Sequence, residues 1–327
     1  MPDDKSITRR WRIVGRSVRG AAHERAGTPN QDAIHWLPEA GAGLPLILAL
    51  ADGHGSAKSF RSETGARLAV ETAAGVVRDF LRAQTESLSA TKRAAEEWLP
   101  GALVRGWREA VAAHLAAHPL STDELKPPRE PRPATAANAQ TAPSKSSSSL
   151  VVYGTTLLLA AVTESYILYL QLGDGEILNV SAGGEVTKPL PEDARLFANE
   201  TTSLCTPDAW RDFRVSFQVV SHAPPSLILL STDGYPNSFL DAPGFLKVGS
   251  DILAAIRTKG LDSVNDNLGT WLTESTRAGS GDDATLGLIC AEDTPAGRPS
   301  RAEQGAAGHV ATDSEGGGRF RRVRGSG

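Results

Sequence analysis

The sequence predicts an α+β fold in which helices cover both outer faces of a two-sheet core. Strand patterns occur near both ends and in the middle of the chain, and two pairs of helical patterns separate them. The order strands, two helices, strands, two helices, strand is typical of such a layered core. The chain has 327 residues, 40% of them hydrophobic, which is enough to bury one sizeable core.

The first predicted strands lie before residue 52. Residues 11–20 and 31–37 have strand patterns and flank a turn-rich segment that contains Gly27. Residues 45–51 form a continuous apolar run that is too short for a helix. This run predicts a buried strand that ends at Asp52.

Two long amphipathic helices are predicted next. Beyond Gly55 the apolar side chains recur on one helical face, and Ser56 is the expected N-cap. A second such face runs from Leu103 to Leu115, with Pro119 as its stop signal. Two long helices in succession predict an antiparallel pair packed on one sheet face.

Residues 121–149 are rich in Pro, Ala, Thr and Ser and have almost no bulky apolar side chains. Such a segment cannot bury enough surface to become ordered. It is either a linker between domains or a disordered insertion, and we favour an insertion because acidic motifs lie on both sides of it. The prediction is one domain over residues 1–292 and a disordered Gly- and Arg-rich tail over residues 293–327.

Strand patterns return after the insertion. They lie at residues 150–162, 166–172, 176–180, 215–220, 227–231 and 284–289. Two further helices are predicted at residues 251–256 and 261–271, and residues 190–212 are expected to form an irregular surface loop.

Composition limits the classes of partner. The formal net charge of −4 argues against nucleic acid as the main partner. Cys205 and Cys290 form no CxxC motif, which favours reduced thiols over a disulfide or metal ligands. No apolar run approaches the roughly 18 residues of a membrane span, and the N-terminus lacks the apolar region of a signal peptide. We therefore expect a soluble, cytoplasmic protein with no membrane partner.

Five acidic residues follow or flank apolar runs, and all of them except Asp32 stand beside a glycine. They are Asp32, Asp52, Asp174, Asp233 and Asp282. A carboxylate at a strand end beside a flexible backbone suits a hard divalent cation. If the five converge, their like charges repel one another unless cations neutralise them. The pattern therefore predicts a metal centre.

The types of residue at these positions suggest how such a centre works. Asp52 is best placed to bridge two ions, with the Gly53 carbonyl available to one of them, while Asp233 and Asp282 complete one ion's shell. Water fills the other positions, as Mg²⁺ and Mn²⁺ prefer. Two ions can activate a shared water for in-line attack on a phosphoryl group. His54 can then give a proton to the leaving alkoxide.

Each motif taken alone has a simpler interpretation. Asp-Gly is a common turn dipeptide, so a single corner is more often a turn than a ligand. Gly173-Asp174-Gly175 alone is compatible with a hairpin turn between the strands on either side of it. His54 alone is compatible with a turn histidine. The joint occurrence of all these motifs in one order favours the metal centre.

The ordered set resembles the successive motifs of the PPM/PP2C family of metal-dependent protein serine/threonine phosphatases. The matching motifs are Asp52-Gly53-His54-Gly55, Gly154-Thr155-Thr156, Gly173-Asp174-Gly175, Ser231-Thr232-Asp233-Gly234 and Gly281-Asp282-Asp283-Ala284-Thr285. Asn30-Gln31-Asp32-Ala33 matches the first motif of bacterial members. The resemblance covers about residues 11–291 apart from the insertion.

The resemblance implies a four-layer α/β/β/α sandwich of two antiparallel sheets, with helix pairs on both outer faces. It implies two Mn²⁺ or Mg²⁺ ions and hydrolysis of phosphoserine and phosphothreonine in proteins. By motif matching, Asp52 bridges both ions, the Gly53 carbonyl binds one, and Asp233 and Asp282 complete the other ion's shell. The implied partners are phosphoprotein substrates and a serine/threonine kinase.

Three further roles follow from the same matching. Asp32 holds metal-bound water without touching an ion, His54 is the proposed general acid, and Asp174 helps to bind a third, weaker ion. Gly154-Thr155-Thr156 is a structural motif at a strand start.

The sequence also departs from the family pattern. Many members have an Arg that clamps substrate phosphate at the position of Gly27, and His23 and Arg25 are the nearby candidates for that contact. Gln31 replaces a Glu that is common in eukaryotic members, and the irregular region at residues 190–212 is short where a substrate-facing flap would lie. The alternative hypothesis is therefore a pseudophosphatase that binds phosphoproteins as a regulatory module. A two-metal phosphodiesterase or nuclease is a more distant alternative, which the acidic composition disfavours.

Overall fold

Ten strands and seven helices are seen in the computed structural model, which describes residues 7–83, 87–121, 124, 149–191, 202–220 and 223–295. The strands are β1 (Ile7–Val18), β2 (Asp32–Leu37), β3 (Leu46–Asp52), β4 (Leu157–Val162), β5 (Tyr166–Leu172), β6 (Glu176–Val180), β7 (Val186–Thr187), β8 (Arg214–Val219), β9 (Leu227–Ser231) and β10 (Ala284–Pro295). The helices are α1 (Ala21–Ala26), α2 (Ser62–Ala83), α3 (Leu88–Glu97), α4 (Leu99–Ala117), α5 (Ala209–Asp212), α6 (Ala242–Lys259) and α7 (Leu261–Ala278).

The strands form two five-stranded sheets. Sheet 1 has the order β1-β10-β9-β6-β7, and sheet 2 has the order β2-β3-β4-β5-β8. Residues 10–292 make up one compact unit. In the described part of the chain, no helix is both long and apolar enough to cross a membrane.

Strand β3 shows why both faces of sheet 2 are buried. Leu46, Leu48 and Leu50 join an apolar cluster that also contains Ile228 and Leu230 of β9 in sheet 1. The alternate residues of β3 instead pack against helices α2 and α4. Because side chains alternate along a strand, a strand covered on both faces has a continuous apolar sequence. The predicted buried strand at residues 45–51 is therefore confirmed.

Helices cover the outer face of each sheet. Helices α2 and α4 share an apolar cluster with sheet 2, and helices α6 and α7 share another with sheet 1. The buried indole of Trp107 in α4 donates a hydrogen bond of 3.0 Å to the Gly65 carbonyl of α2. The predicted α+β fold and its four-layer α/β/β/α arrangement are confirmed.

Two local predictions differ from the structure. The first long helix begins at Ser62, and Ser56 lies in the preceding turn rather than at an N-cap. Helix α3 was not predicted, because only Thr91 and Ala95 of its residues are buried and Leu88 is its one bulky apolar side chain. Gly173-Asp174-Gly175 does not form the hairpin turn with which it is compatible when taken alone, since it leads from β5 in sheet 2 to β6 in sheet 1.

Glu124, near the start of the predicted insertion, and Tyr153, just after its end, both contact Arg61 in the body of the protein. Arg61 binds both carboxylate oxygens of Glu124 at 2.8 and 3.0 Å, and it donates to the Tyr153 hydroxyl at 2.9 Å. Most of the predicted insertion and tail lies outside the described residues, namely residues 122–123, 125–148 and 296–327. In the described part of the chain, Cys205 and Cys290 form no disulfide.

Two glycines in α2 provide a test of the packing between this helix and Tyr153. A Cβ at Gly65 would run into the Tyr153 carbonyl, whereas a Cβ at Gly75 would meet no atom within 4 Å. We expect Gly65→Ala to lower the free energy of unfolding by about 1–3 kcal/mol through overpacking. Gly75→Ala should raise it by about 0.5–1 kcal/mol, because alanine favours the helix and restricts the unfolded chain. Urea unfolding of both variants measures the difference, and equal effects would contradict the proposed contact.

Candidate metal centre

Strand ends from both sheets bring the predicted acidic residues together. In sheet 2, Asp32 of β2 lies directly opposite Asp52 of β3. In sheet 1, β9 ends just before Asp233 and the neighbouring β10 begins just after Asp282. The side chains of Asp52 and Asp233 share a hydrogen bond, and burial and the charges of Asp32 and Asp282 raise the pKa of Asp52, so the four carboxylates share one site.

Asp32 is the most buried of these carboxylates. Its Oδ2 accepts hydrogen bonds of 2.7 Å from the hydroxyls of both Thr232 and Thr285. The residue is only 9% exposed, and its Oδ1 is buried without a hydrogen-bond partner. A buried carboxylate oxygen without a donor is costly unless a cation or an ordered water satisfies it.

Burial and like charge change the ionisation of the group. Burial, partly offset by the two threonine hydroxyls, raises the pKa of Asp32 to about 8. The pKa of Asp52 is raised well above its usual range by burial and then by the charges of Asp32 and Asp233. Burial also raises the pKa of Asp233, with a contribution from Asp174 and Asp282. Without bound cations, the protein therefore compensates the negative charges of these carboxylates incompletely.

The backbone around Asp52 is fixed by two neighbouring segments. The Thr155 hydroxyl donates to the Asp52 carbonyl at 2.8 Å, and the Asp52 N–H donates to the Thr156 hydroxyl at 3.0 Å. A Cβ at Gly53 would lie 2.7 Å from the Gln31 carbonyl oxygen and 2.8 Å from the Ser62 carbonyl oxygen. Only glycine fits there, which allows the chain to pass close to Gln31.

His54 lies beside the same corner. Its N–H donates to the Gly154 carbonyl at 3.0 Å, and a Cβ at Gly154 would run into the imidazole ring. Burial lowers the pKa of His54, and the nearby Asp174 carboxylate partly offsets this effect. Asp174 therefore favours the protonated imidazole that a general acid requires.

Asp283 is a buried carboxylate beside the site that the motif analysis did not single out. Its Oδ1 accepts the Gly20 N–H and its Oδ2 accepts the Gln31 N–H, both at 2.6 Å. It is 3% exposed, whereas the neighbouring Asp282 side chain is 51% exposed. Asp283 thus holds the two ends of the segment between β1 and β2 against the loop that precedes β10.

The two candidates for phosphate contact lie in different surroundings. The imidazole of His23 faces carboxylates, with Nδ1 2.8 Å from Asp283 Oδ2 and Nε2 3.7 Å from Asp282 Oδ1. Arg25 is exposed in the last turn of α1, and none of the site contacts given above involves it. Gly27 ends that helix with a left-handed φ of 73°.

Comparison with known proteins identifies the family. The sequence model described as protein phosphatase 2C matches residues 19–273 of the chain. The protein belongs to the protein phosphatase 2C family. Protein phosphatases are hydrolases. No curated protein matches the chain.

Solved structures of other phosphatases share the fold of this protein phosphatase 2C. The catalytic domain of the serine/threonine protein phosphatase PstP, in complex with two manganese ions, has 18% identity and a TM-score of 0.52. That match covers 88% of this chain and 100% of that chain. The serine/threonine phosphatase Stp1 from Staphylococcus aureus has 14% identity and a TM-score of 0.51, with 86% of this chain and 94% of that chain covered. At these identities the likeness shows the fold.

The donor set of this protein phosphatase 2C fits hard divalent cations. Carboxylate oxygens are the ligands that Mg²⁺ and Mn²⁺ prefer, and the site has one carboxylate oxygen that is buried without a hydrogen-bond partner. The pKa values of Asp32, Asp52 and Asp233 are raised because, among the described residues, no positive charge compensates these buried carboxylates. Thr232 and Thr285 also belong to the site. Both lie within the sequence motifs, but no local pattern shows that their hydroxyls bind Asp32.

The raised pKa of Asp32 leads to a prediction for the metal-free protein. Asp32 keeps its proton up to about pH 8 in the folded state, whereas the usual pKa in an unfolded chain is near 3.8. The free energy of unfolding is therefore greatest below pH 3.8 and falls as the pH rises towards about 8. Asp32→Asn removes this loss, so it should stabilise the metal-free protein by at least about 1 kcal/mol more at pH 8.5 than at pH 5.

Urea unfolding in the presence of a chelator measures this difference. Asp251→Asn is the control, because Asp251 pairs with Lys247 on the exposed surface of α6. Parallel stability curves for the wild-type protein and Asp32→Asn at the two pH values would contradict the prediction.

Proposed function

We propose that this protein hydrolyses phosphoserine and phosphothreonine in proteins with the help of two Mn²⁺ or Mg²⁺ ions. The observation that supports the proposal is the convergence of Asp32, Asp52, Asp233 and Asp282 at strand ends of both sheets, with one buried carboxylate oxygen lacking a hydrogen-bond partner. Such a cluster is expected where cations are held. The structure of the serine/threonine phosphatase PstP in complex with two manganese ions agrees with this proposal.

The proposal assigns metal-binding roles to named groups. Asp52 and the Gly53 carbonyl would hold one ion, and Asp52, Asp233 and Asp282 would hold the other. Asp174 would contribute to a third, weaker site. When bound, the ions supply Lewis-acid activation of water and neutralise phosphoryl charge.

The remaining groups would orient the attacking water and supply a proton to the leaving group. Asp32, fixed by Thr232 and Thr285, would orient the attacking water through its second oxygen. His54 would give a proton to the leaving serine or threonine oxygen, and the carboxylate of Asp174 favours the charged form of its ring. Direct attack by water leaves inorganic phosphate and the free hydroxyl side chain. The substrates would be phosphoproteins, and a serine/threonine kinase would oppose the enzyme.

A pseudophosphatase that binds phosphoproteins is the second candidate function. It is favoured by Gly27, which has no side chain where many relatives carry a phosphate-clamping Arg. A Cβ at Gly27 would meet no atom of the described residues within 4 Å, so none of these residues fills the position. Such a protein would bind metal and phosphopeptide without turnover.

Substitution of the metal-binding carboxylates tests the enzymatic proposal. With Mn²⁺ present, we expect the wild-type protein to release phosphate from a phosphothreonine peptide. Asp52→Asn and Asp233→Asn should each lower kcat by about 100-fold or more, because each removes a charge from the cation shell. A chelator should abolish the wild-type rate, and Asp251→Asn should leave it unchanged.

Phosphopeptide binding, measured in the same samples, separates the two candidates. Tight binding without phosphate release by the wild-type protein would favour the pseudophosphatase. Equal turnover by the wild-type protein, both variants and the chelated sample would contradict the metal-dependent mechanism.

A further inference from the structure

His23 combines a buried nitrogen with two neighbouring carboxylates, one of them a proposed metal ligand. We propose that the imidazole of His23 is a nitrogen ligand of the divalent cation that Asp282 binds. The inference rests on the metal centre of the proposed function and adds a ligand of a different chemical type to it. His23, Asp282 and Asp283 each offer a ligand atom, and these atoms all lie within 4.8 Å of one another.

The position of His23 is fixed by the docking of α1 on the loop that carries both carboxylates. The Ala22 N–H donates to the Gly281 carbonyl at 2.7 Å, and the Gly20 N–H donates to Asp283 Oδ1 at 2.6 Å. The His23 carbonyl accepts a hydrogen bond of 2.9 Å from Arg19. The imidazole is therefore held near Asp282 by backbone contacts on both sides of it.

The two ring nitrogens of His23 have different neighbours. Nδ1 is buried without an aligned hydrogen-bond partner and lies 2.8 Å from Asp283 Oδ2, which already accepts the Gln31 N–H. A neighbouring carboxylate favours the tautomer with the proton on Nδ1, and this tautomer leaves a lone pair on Nε2. Metal-binding histidines commonly have a carboxylate beside the nitrogen that does not bind the metal. Asp283 occupies that place here.

The distance from Nε2 to Asp282 is compatible with a shared cation. Nε2 lies 3.7 Å from Asp282 Oδ1. Two atoms that each bind a cation at about 2.1 Å can be at most about 4.2 Å apart. The His23 side chain is 19% exposed and that of Asp282 is 51% exposed, so a hydrated ion has access to both.

A nitrogen ligand has a consequence for metal preference. Mg²⁺ prefers an all-oxygen shell, whereas transition-metal ions such as Mn²⁺ accept imidazole more readily. His23 should therefore increase the affinity for Mn²⁺ more than the affinity for Mg²⁺. Asp283, which holds the Gly20 and Gln31 segments as well, is a positioning residue for the imidazole.

Electron spin echo envelope modulation of bound Mn²⁺ tests for the nitrogen ligand directly. Trace Mn²⁺ in excess Mg²⁺ keeps the paramagnetic ions isolated from one another in the full-length protein. We expect modulation from a directly bound ¹⁴N nucleus in the wild-type protein and its loss in His23→Gln. The control is His118→Gln, since His118 ends α4 and its ring stacks on His114 in a different part of the fold.

Calorimetric titration gives an independent readout. His23→Gln should weaken Mn²⁺ binding by about tenfold or more while Mg²⁺ binding changes less. Wild-type protein that binds Mn²⁺ without ¹⁴N modulation would overturn the ligand assignment, as would modulation that persists in His23→Gln. Equal losses of Mn²⁺ and Mg²⁺ affinity would also overturn it, because a structural role alone predicts that result.

Phosphopeptide hydrolysis by the wild-type protein distinguishes failure of this inference from failure of the proposed function. Hydrolysis without ¹⁴N modulation would remove the His23 ligand and leave the phosphatase. Modulation without hydrolysis would keep the ligand and remove the phosphatase. Absence of Mn²⁺ binding would overturn both.

Discussion

Repulsion among buried carboxylates is the constraint on which the site depends. Asp32, Asp52 and Asp233 lie together at strand ends of two different sheets, and burial raises the pKa of each. The chain supplies hydroxyl donors to one oxygen of Asp32 but leaves the other oxygen without a partner. Divalent cations would complete this arrangement, because they supply the positive charge that the surrounding side chains do not. Metal binding and folding are thus expected to be coupled through the same few groups.

The contacts that hold the acidic residues also join the two sheets. Asp32 belongs to sheet 2, and the hydroxyls that bind it come from Thr232, just after β9, and Thr285, in β10 of sheet 1. Asp283 makes a similar connection between the loop before β10 and the backbone at Gly20 and Gln31. A change at one of these residues therefore alters both the geometry of the site and the contact between the layers.

Much of the fold could be predicted because its signals are local. The continuous apolar run of β3 reflects a strand covered on both faces, and the helical faces of α2 and α4 are visible as periodicity. A local signal is less decisive where it has several structural outcomes. The turn-forming residues Gly173-Asp174-Gly175 are compatible with a following strand in the same sheet and with one in the other sheet. Ser56 is a good capping residue, but the helix begins only at Ser62 because the chain first makes a turn.

By itself, the sequence determined the types of element, their order and the carboxylate at each strand end, since periodicity and turn chemistry depend on residues close together in the chain. Only the tertiary structure decided which atoms meet. Asp283 appeared in the sequence as the second acid of a motif, and His23 as a candidate for phosphate contact. The fold places the imidazole between Asp282 and Asp283. No local pattern encodes that contact, because it depends on how α1 docks against a loop near the other end of the chain.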